Sequence, residues 1–176
     1  IKFMALFLGK EAEADSIFNW IEDQYRLQQK TAAGFNERPT ILTGIPYGGT
    51  WYLPGGQNYA ARFFEDAGCN YFWSDDPSNG FLKLSLETVY EKASKADFWI
   101  GVGSFKTYDE LQATESRFKN FLPFQNRKVY NYNRRIGPTG GNEYLELGYL
   151  RPDLILKDLI QITHPNDYPT PDLFFY

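Results

Sequence analysis

The stretch LTGIPYGGTWYLPGGQNY, residues 42–59, joins an apolar strand to a helix-like segment through a loop that contains four glycines. Strand, glycine-rich loop and helix in this order are typical of phosphate-binding sites. A P-loop, however, ends in Gly-Lys-Ser/Thr, whereas this loop ends in Gly-Gly-Gln-Asn at residues 55–58. The pattern G-x-G-x-x-G is absent as well, and two prolines remove backbone donors that an anion would use. The stretch therefore does not favour a nucleotide site.

Two interpretations of this loop remain. The glycines can simply allow tight turns. Alternatively, they let a ligand approach the backbone while Tyr47, Trp51 and Tyr52 offer flat faces with polar edges. Aromatic residues make up 18% of the chain, with 13 tyrosines and 4 tryptophans, and such an excess is typical of ligand clefts and interfaces. The second interpretation predicts an aromatic wall for a ligand.

Outside this stretch, segments typical of strands and helices alternate along the chain. Residues 1–33 carry apolar residues at helical spacing and predict a long helix that Gly9 can bend or split. Predicted strands cover 40–45, 70–73, 98–102 and 128–132, and predicted helices cover 57–67, 85–96, 108–121 and 142–162, the last with a kink or break at Pro152. The alternation predicts an α/β fold: a Rossmann-like parallel sheet of about four strands with helices on both faces.

Further candidate site residues follow the predicted strands, because parallel α/β sheets bind ligands at the carboxyl ends of their strands. Trp73 ends the second predicted strand. Arg134 and Arg135 follow the fourth, where a guanidinium group can contact an anion. With the loop aromatics they make up the predicted ligand-binding set: Tyr47, Trp51, Tyr52, Trp73, Arg134 and Arg135.

The composition narrows the function. With 176 residues, 43% of them hydrophobic, the chain can bury one full core. A formal net charge of -4 argues against nucleic acid as a partner. The single histidine, His164, and single cysteine, Cys69, disfavour a metal site. No histidine lies near Ser85 or Ser104 in sequence, so nothing marks a catalytic triad. The expectation is a binding protein without catalytic residues, metal site or cofactor.

Glu87 occupies a distinctive position at the start of a predicted helix. Ser85 is a good N-cap, and Glu87 falls in the first turn. The helix dipole stabilises a carboxylate there by about 0.3–1 kcal/mol. This effect accounts for Glu87 without any partner.

Four segments carry a resemblance to a known family. "RPTILTG" (38–44) followed by "GGTWYLPGGQNYAARFFEDAG" (48–68) is similar to the start of the second lobe of substrate-binding proteins of ABC importers. These are the importers that take up ferric siderophores, haem and vitamin B12. "LSLETVYEKASKADFWI" (84–100) resembles the family's Ser-x-Glu helix and the strand after it, and "LRPDLILKDLIQITHP" (150–165) resembles the closing helix. The last match is the most specific.

This resemblance implies a division of the chain. "IKFMALFLGKEAEADSIF" (1–18) resembles part of the long helix that joins two lobes in this family. Residues 1–34 would then be the second half of that inter-lobe helix, and residues 35–176 the C-terminal ligand-binding lobe. The N-terminal lobe would be missing from this chain. The implied location is periplasmic, or membrane-anchored as a lipoprotein facing the periplasm.

The resemblance also implies partners. The ligand would be a metal chelate (siderophore, haem or cobalamin), delivered to an ABC permease in the inner membrane. Glu87 matches the glutamate that docks onto permease arginines, Trp51 and Tyr52 match the loop that faces the ligand, and Arg134 and Arg135 are candidates for chelate carboxylates. A free-metal receptor is disfavoured, because this lobe has one histidine outside the cleft loops. The alternative function is an α/β enzyme that acts on a nucleotide or sugar through the glycine-rich loop.

Overall fold

The computed structural model describes residues 1–176 as an α/β fold. Its seven strands are β1 (Thr40–Thr43), β2 (Pro46–Tyr47), β3 (Thr50–Pro54), β4 (Asn70–Tyr71), β5 (Phe81–Leu84), β6 (Phe98–Ile100) and β7 (Val129–Tyr130). Its helices are α1 (Lys2–Leu6), α2 (Glu11–Ala33), α3 (Tyr59–Asp66), α4 (Leu86–Ala93), α5 (Tyr108–Thr114), α6 (Leu122–Gln125), α7 (Glu143–Leu147) and α8 (Pro152–Thr163), with a 3₁₀ turn at Ser116–Asn120.

The predicted parallel sheet is confirmed. Its four strands lie in the order β4-β1-β6-β7, and every neighbouring pair runs parallel. Ile41 of β1 pairs with Tyr71 of β4 on one side and with Phe98 of β6 on the other. All three residues of β6 are buried, as expected for a central strand of a parallel sheet that is covered on both faces.

The glycine-rich stretch does not form a loop between a strand and a helix. β2 and β3 form an antiparallel hairpin, and β5 pairs with β3 to complete a second, three-stranded sheet that the sequence analysis missed. The hairpin turns at Gly48 and Gly49, whose φ angles are +56° and +81°. A two-residue turn with positive φ at both positions is the type I′ turn, which favours glycine.

The second glycine pair allows close packing rather than a turn. A Cβ at Gly55 would collide with Ser78, and one at Gly56 would collide with the backbone oxygen of Ser74. Asn58 fixes the chain just after this pair: its side chain caps α3 by accepting from the backbone N–H of Ala60 (3.0 Å). A tight turn and close packing therefore account for the glycines of this stretch without a ligand.

An aromatic cluster joins the two sheets. The Trp51 ring lies 5.6 Å from Trp99, 5.9 Å from Phe118 and 5.8 Å from Phe121, measured between centroids. Both indoles donate hydrogen bonds to backbone carbonyls at the carboxyl end of β1: Trp51 Nε1 to Thr43 (3.0 Å) and Trp99 Nε1 to Gly44 (2.8 Å). The cluster thus fixes the hairpin against the carboxyl end of the parallel sheet.

Two predicted breaks in the helices, at Gly9 and Pro152, are confirmed, and one predicted helix is shorter than expected. The predicted helix 1–33 is split at Gly9, which has φ +62°, as the sequence allowed. The predicted helix 108–121 ends at Thr114, because Glu115 is extended and caps the following 3₁₀ turn. Pro152 begins α8 at a position where its missing N–H costs nothing, so the predicted helix 142–162 becomes two helices.

At the start of α8, Arg151 forms an ion pair within its own segment and a ring contact with α2. Arg151 Nη2 lies 2.7 Å from the buried carboxylate of Asp153, and its guanidinium lies over the ring of Trp20 on α2, 5.1 Å from the centroid. This geometry explains the Arg-Pro-Asp signature in structural terms.

No helix of the chain is both long enough and apolar enough to cross a membrane.

Candidate ligand-binding cleft

Two of the predicted ligand-binding residues lie in the core. Trp51 is 0% exposed and has aromatic rings around it, so it offers no face to a ligand. Trp73 is 8% exposed and packs against Tyr71 (5.7 Å between centroids), while the ammonium group of Lys92 lies over its ring. For these two residues the predicted contact with a ligand is wrong, because both rings are used for packing.

Three further predicted residues are exposed but lie away from the cleft described below. Tyr47, at the hairpin turn, is 82% exposed. The Arg135 side chain pairs with Glu143 and lies over the ring of Phe174, 4.3 Å from its centroid. Arg134 is exposed, and its backbone N–H donates to the carbonyl of Phe175 (3.1 Å). None of the three lines the cleft.

A cleft of about 610 Å³ opens at the carboxyl ends of β1 and β6, where α/β sheets of this kind bind ligands. Thr43 and Gly44 line it from β1, and Ile100 and Gly101 line it from β6. Tyr52 on β3 also lines it and is the one member of the predicted set that does so. The cleft therefore lies at the edge of the sheet where the sequence places the ligand site, and most of the predicted residues lie elsewhere.

Six tyrosines line this cleft: Tyr52, Tyr59, Tyr132, Tyr144, Tyr149 and Tyr176. They form two stacked pairs, Tyr132 on Tyr144 with centroids 4.3 Å apart and Tyr59 on Tyr149 with centroids 6.2 Å apart. Tyr176 contacts the first pair edge-on. The sequence analysis missed five of the six, although 13 tyrosines in the composition were a signal that a tyrosine-rich surface exists.

Buried apolar side chains line part of the cleft. They are Phe63 and Phe64 of α3 and Ile155 and Leu159 of α8. At its mouth, Tyr149 is 72% exposed. A volume of this size, lined mainly by apolar side chains with a few hydroxyl groups, is typical of small-molecule sites.

Burial keeps four of the cleft tyrosines, Tyr59, Tyr132, Tyr144 and Tyr176, in the protonated form. Burial raises the pKa of Tyr144 to about 12, and burial is also the main cause that raises the pKa of Tyr59 and of Tyr132. Burial raises the pKa of Tyr176 well above its ordinary value. The hydroxyl groups can therefore donate and accept hydrogen bonds, and they carry no charge.

The chain contains no group of three or more His, Cys, Asp or Glu side chains placed to hold a metal ion. His164 lies outside the cleft, with its ring tilted against Phe35 at 4.2 Å between centroids, and its Nε2 lies 3.0 Å from the carbonyl oxygen of Ala67. These contacts give His164 a packing role between α8 and the segment after α3.

Glu87 lies at the exposed N-terminus of α4, away from the cleft. Ser85 caps this helix by accepting from the backbone N–H of Thr88 (3.2 Å). The Glu87 carboxylate pairs with Arg117 Nη1 at 2.7 Å. A hydrogen bond from its own backbone N–H is the main cause that lowers the pKa of Glu87, and the bond from Arg117 adds to it. Glu87 thus stays ionised and accessible.

Comparisons with known proteins agree with this fold. The family model described as "Periplasmic binding protein" matches residues 1–135. A curated relative, an uncharacterised lipoprotein of Methanocaldococcus jannaschii, is 26% identical over all of this chain, which spans 41% of that relative. A solute-binding protein of an ABC transporter from Sulfurospirillum deleyianum superposes with a TM-score of 0.70 at 16% identity, covering 96% of this chain and 50% of that one.

A second solved structure, S. aureus IsdE complexed with haem, superposes with a TM-score of 0.64 at 14% identity. The match covers 93% of this chain and 62% of that one. At these identities the two solved structures show a shared fold. The covered shares also show that the chain spans about half the length of the proteins that it resembles. Because the family model covers most of the chain, the chain belongs to the periplasmic binding protein family.

Proposed function

We propose that the chain is one ligand-binding lobe of an ABC importer's substrate-binding protein, which captures a metal chelate and delivers it to a membrane permease. The tyrosine-lined cleft at the carboxyl end of the parallel sheet is the observation that carries this proposal. A ferric siderophore, haem and cobalamin are the candidate ligands, and one similar solved protein is complexed with haem. Large aromatic faces would supply contact area, and hydroxyl groups would orient the ligand.

The cleft would be one wall of a two-walled site. It is open at Tyr149, and the proteins that this chain resembles are about twice as long as the chain. The second wall would come from another lobe of the whole protein. The whole protein would work on the periplasmic side of the membrane as a lipoprotein, in line with the relatives from Methanocaldococcus jannaschii that are named as lipoproteins.

An enzyme that acts on a nucleotide or sugar is not favoured. The glycine-rich stretch is the feature that suggested an enzyme. In the structure it forms a hairpin turn at Gly48 and Gly49 and a close backbone contact at Gly55 and Gly56. The cleft lining contains no lysine, histidine or carboxylate that could bind phosphate or transfer a proton.

Titration of the whole protein with haem, cyanocobalamin and a ferric siderophore tests the proposed function. We expect one of them to bind, and Tyr149→Ala to weaken that binding at least about tenfold, because the variant removes an exposed ring from the cleft mouth. Tyr47→Ala is the matched control: the residue type is the same and the exposure is similar, but Tyr47 lies outside the cleft. Calorimetry measures both. Binding of a nucleotide with no binding of any chelate would contradict the proposal.

A second prediction concerns Glu87, which we propose docks onto arginines of the permease. Glu87→Ala is expected to leave the ligand affinity of the whole protein unchanged and to impair uptake, because the carboxylate lies away from the cleft. In docking, the permease would replace Arg117 as partner of the carboxylate. Such an exchange costs little, since exposed ion pairs contribute about 0–1 kcal/mol.

Glu91→Ala is the matched control for Glu87, since Glu91 is an exposed glutamate one turn later on the same helix. Uptake of radiolabelled ligand by cells or proteoliposomes that contain the cognate permease is the measurement. Normal uptake with the Glu87 variant would leave Glu87 as a residue that stabilises the start of α4 and nothing more.

A further inference from the structure

The cleft has no charged side chain. It is lined by 19 residues, 13 of them hydrophobic, and none of them is Asp, Glu, Lys, Arg or His. The polar groups that it offers are neutral hydroxyls, the Asn58 side chain and backbone groups. This wall therefore presents no acidic or basic side chain to a ligand.

The two arginines that follow β7, Arg134 and Arg135, also do not line the cleft. The Arg135 side chain, which the sequence analysis assigned to chelate carboxylates, is held outside the cleft by Glu143 and the ring of Phe174. The carboxylate of Glu143 also offsets its charge locally. An anionic ligand group that enters the cleft would thus find no cation along its walls.

A charge that leaves water without a partner is strongly unfavourable. If the proposed function is correct, we propose that this cleft takes the uncharged part of a net-neutral chelate, with apolar faces and amide or hydroxamate edges. Aromatic rings at the mouth pack on the apolar faces, and tyrosine hydroxyls donate to carbonyl oxygens at the edges. Chelates that present carboxylates or catecholate charge to this wall are disfavoured.

A pair of ligands that differ only in charge tests this inference in the whole protein. Cyanocobalamin carries neutral amides on its rim, and mild hydrolysis converts one amide to a carboxylate without changing the shape. A cyclic ferric trihydroxamate, which is neutral, and a strongly anionic ferric tricatecholate form a second pair, which differs in the chelating groups as well as in charge. Calorimetric titration of all four measures the preference.

The neutral member that binds is expected to bind at least about tenfold more tightly than its charged counterpart. Its affinity should change less than about twofold between ~0.05 and ~0.5 M salt, because no ion pair forms. Tyr149→Ala should weaken it, and Tyr47→Ala should not.

Tighter binding of the charged members, or a steep loss of affinity with salt, would overturn this inference and leave chelate capture intact. Failure of every chelate to bind, including haem, would instead overturn the proposed function and this inference with it. The two failures are therefore distinguishable by which ligands bind.

Discussion

Replacing Trp51 by alanine is expected to lower the free energy of unfolding by about 3–5 kcal/mol, one of the two largest effects that we predict. The indole is fully buried among Trp99, Phe118 and Phe121, so its removal leaves a cavity that rigid neighbouring rings cannot fill. The variant also loses the hydrogen bond from Nε1 to the Thr43 carbonyl, which holds the hairpin against β1. Trp51 therefore acts on the cleft only through the fold.

Urea unfolding followed by far-UV circular dichroism measures this loss. Tyr47→Ala, in the same hairpin but 82% exposed, is the control and is expected to change the free energy of unfolding by less than about 0.5 kcal/mol. A Trp51 variant with wild-type stability and weakened ligand binding would restore the interpretation that the sequence suggested.

The second large effect is expected for Asp158→Ala. Asp158 is fully buried in α8, and its carboxylate accepts hydrogen bonds from the backbone N–H groups of Phe174 (2.8 Å) and Phe175 (2.6 Å). Removal of the carboxylate leaves both donors unsatisfied, at a cost of about 2–4 kcal/mol in the free energy of unfolding. It also frees the segment that holds Phe175 in the core and Tyr176 in the cleft.

Hydrogen exchange separates this local effect from global unfolding. The amides of residues 174–176 should lose their protection in the Asp158 variant, and the central strands should keep theirs under native conditions. Asp172→Ala is the matched control, because its side chain is 89% exposed and forms only a long ion pair with Lys157 at 3.3 Å. Unchanged protection at residues 174–176 would show that packing of Phe175 alone holds the segment.

The parallel sheet was predictable because its signals are local. β1, β6 and β7 each lie in a short apolar run, and α3, α4 and α8 follow capping or proline signals within a few residues. The hairpin was missed although its signals were also present: Gly48-Gly49 favours a type I′ turn. The segment Thr50–Leu53 alternates exposed and buried positions, with Trp51 and Leu53 facing inward.

The cleft could not be predicted in the same way. Tyr59 begins α3, Tyr132 follows β7, and Tyr149 follows α7, so only the folded chain brings them together. The spacing of these three tyrosines in the sequence does not indicate that they lie together. The arginines after β7 show that position in the sequence can also mislead. Arg135 follows a strand, as a cleft residue would, but its side chain contacts Glu143 and Phe174 and not the cleft.

The separation between buried tryptophans and cleft tyrosines divides the optical signals of this protein. Trp51 and Trp99 lie 5.6 Å apart in the core, and fixed aromatic packing of this kind gives near-UV circular dichroism that disappears when tertiary packing is lost. Six of the 13 tyrosines line the cleft, and none of the four tryptophans does. The near-UV signal of the Trp51–Trp99 pair can therefore report the integrity of the core in a cleft variant, without ligand and without any attached label.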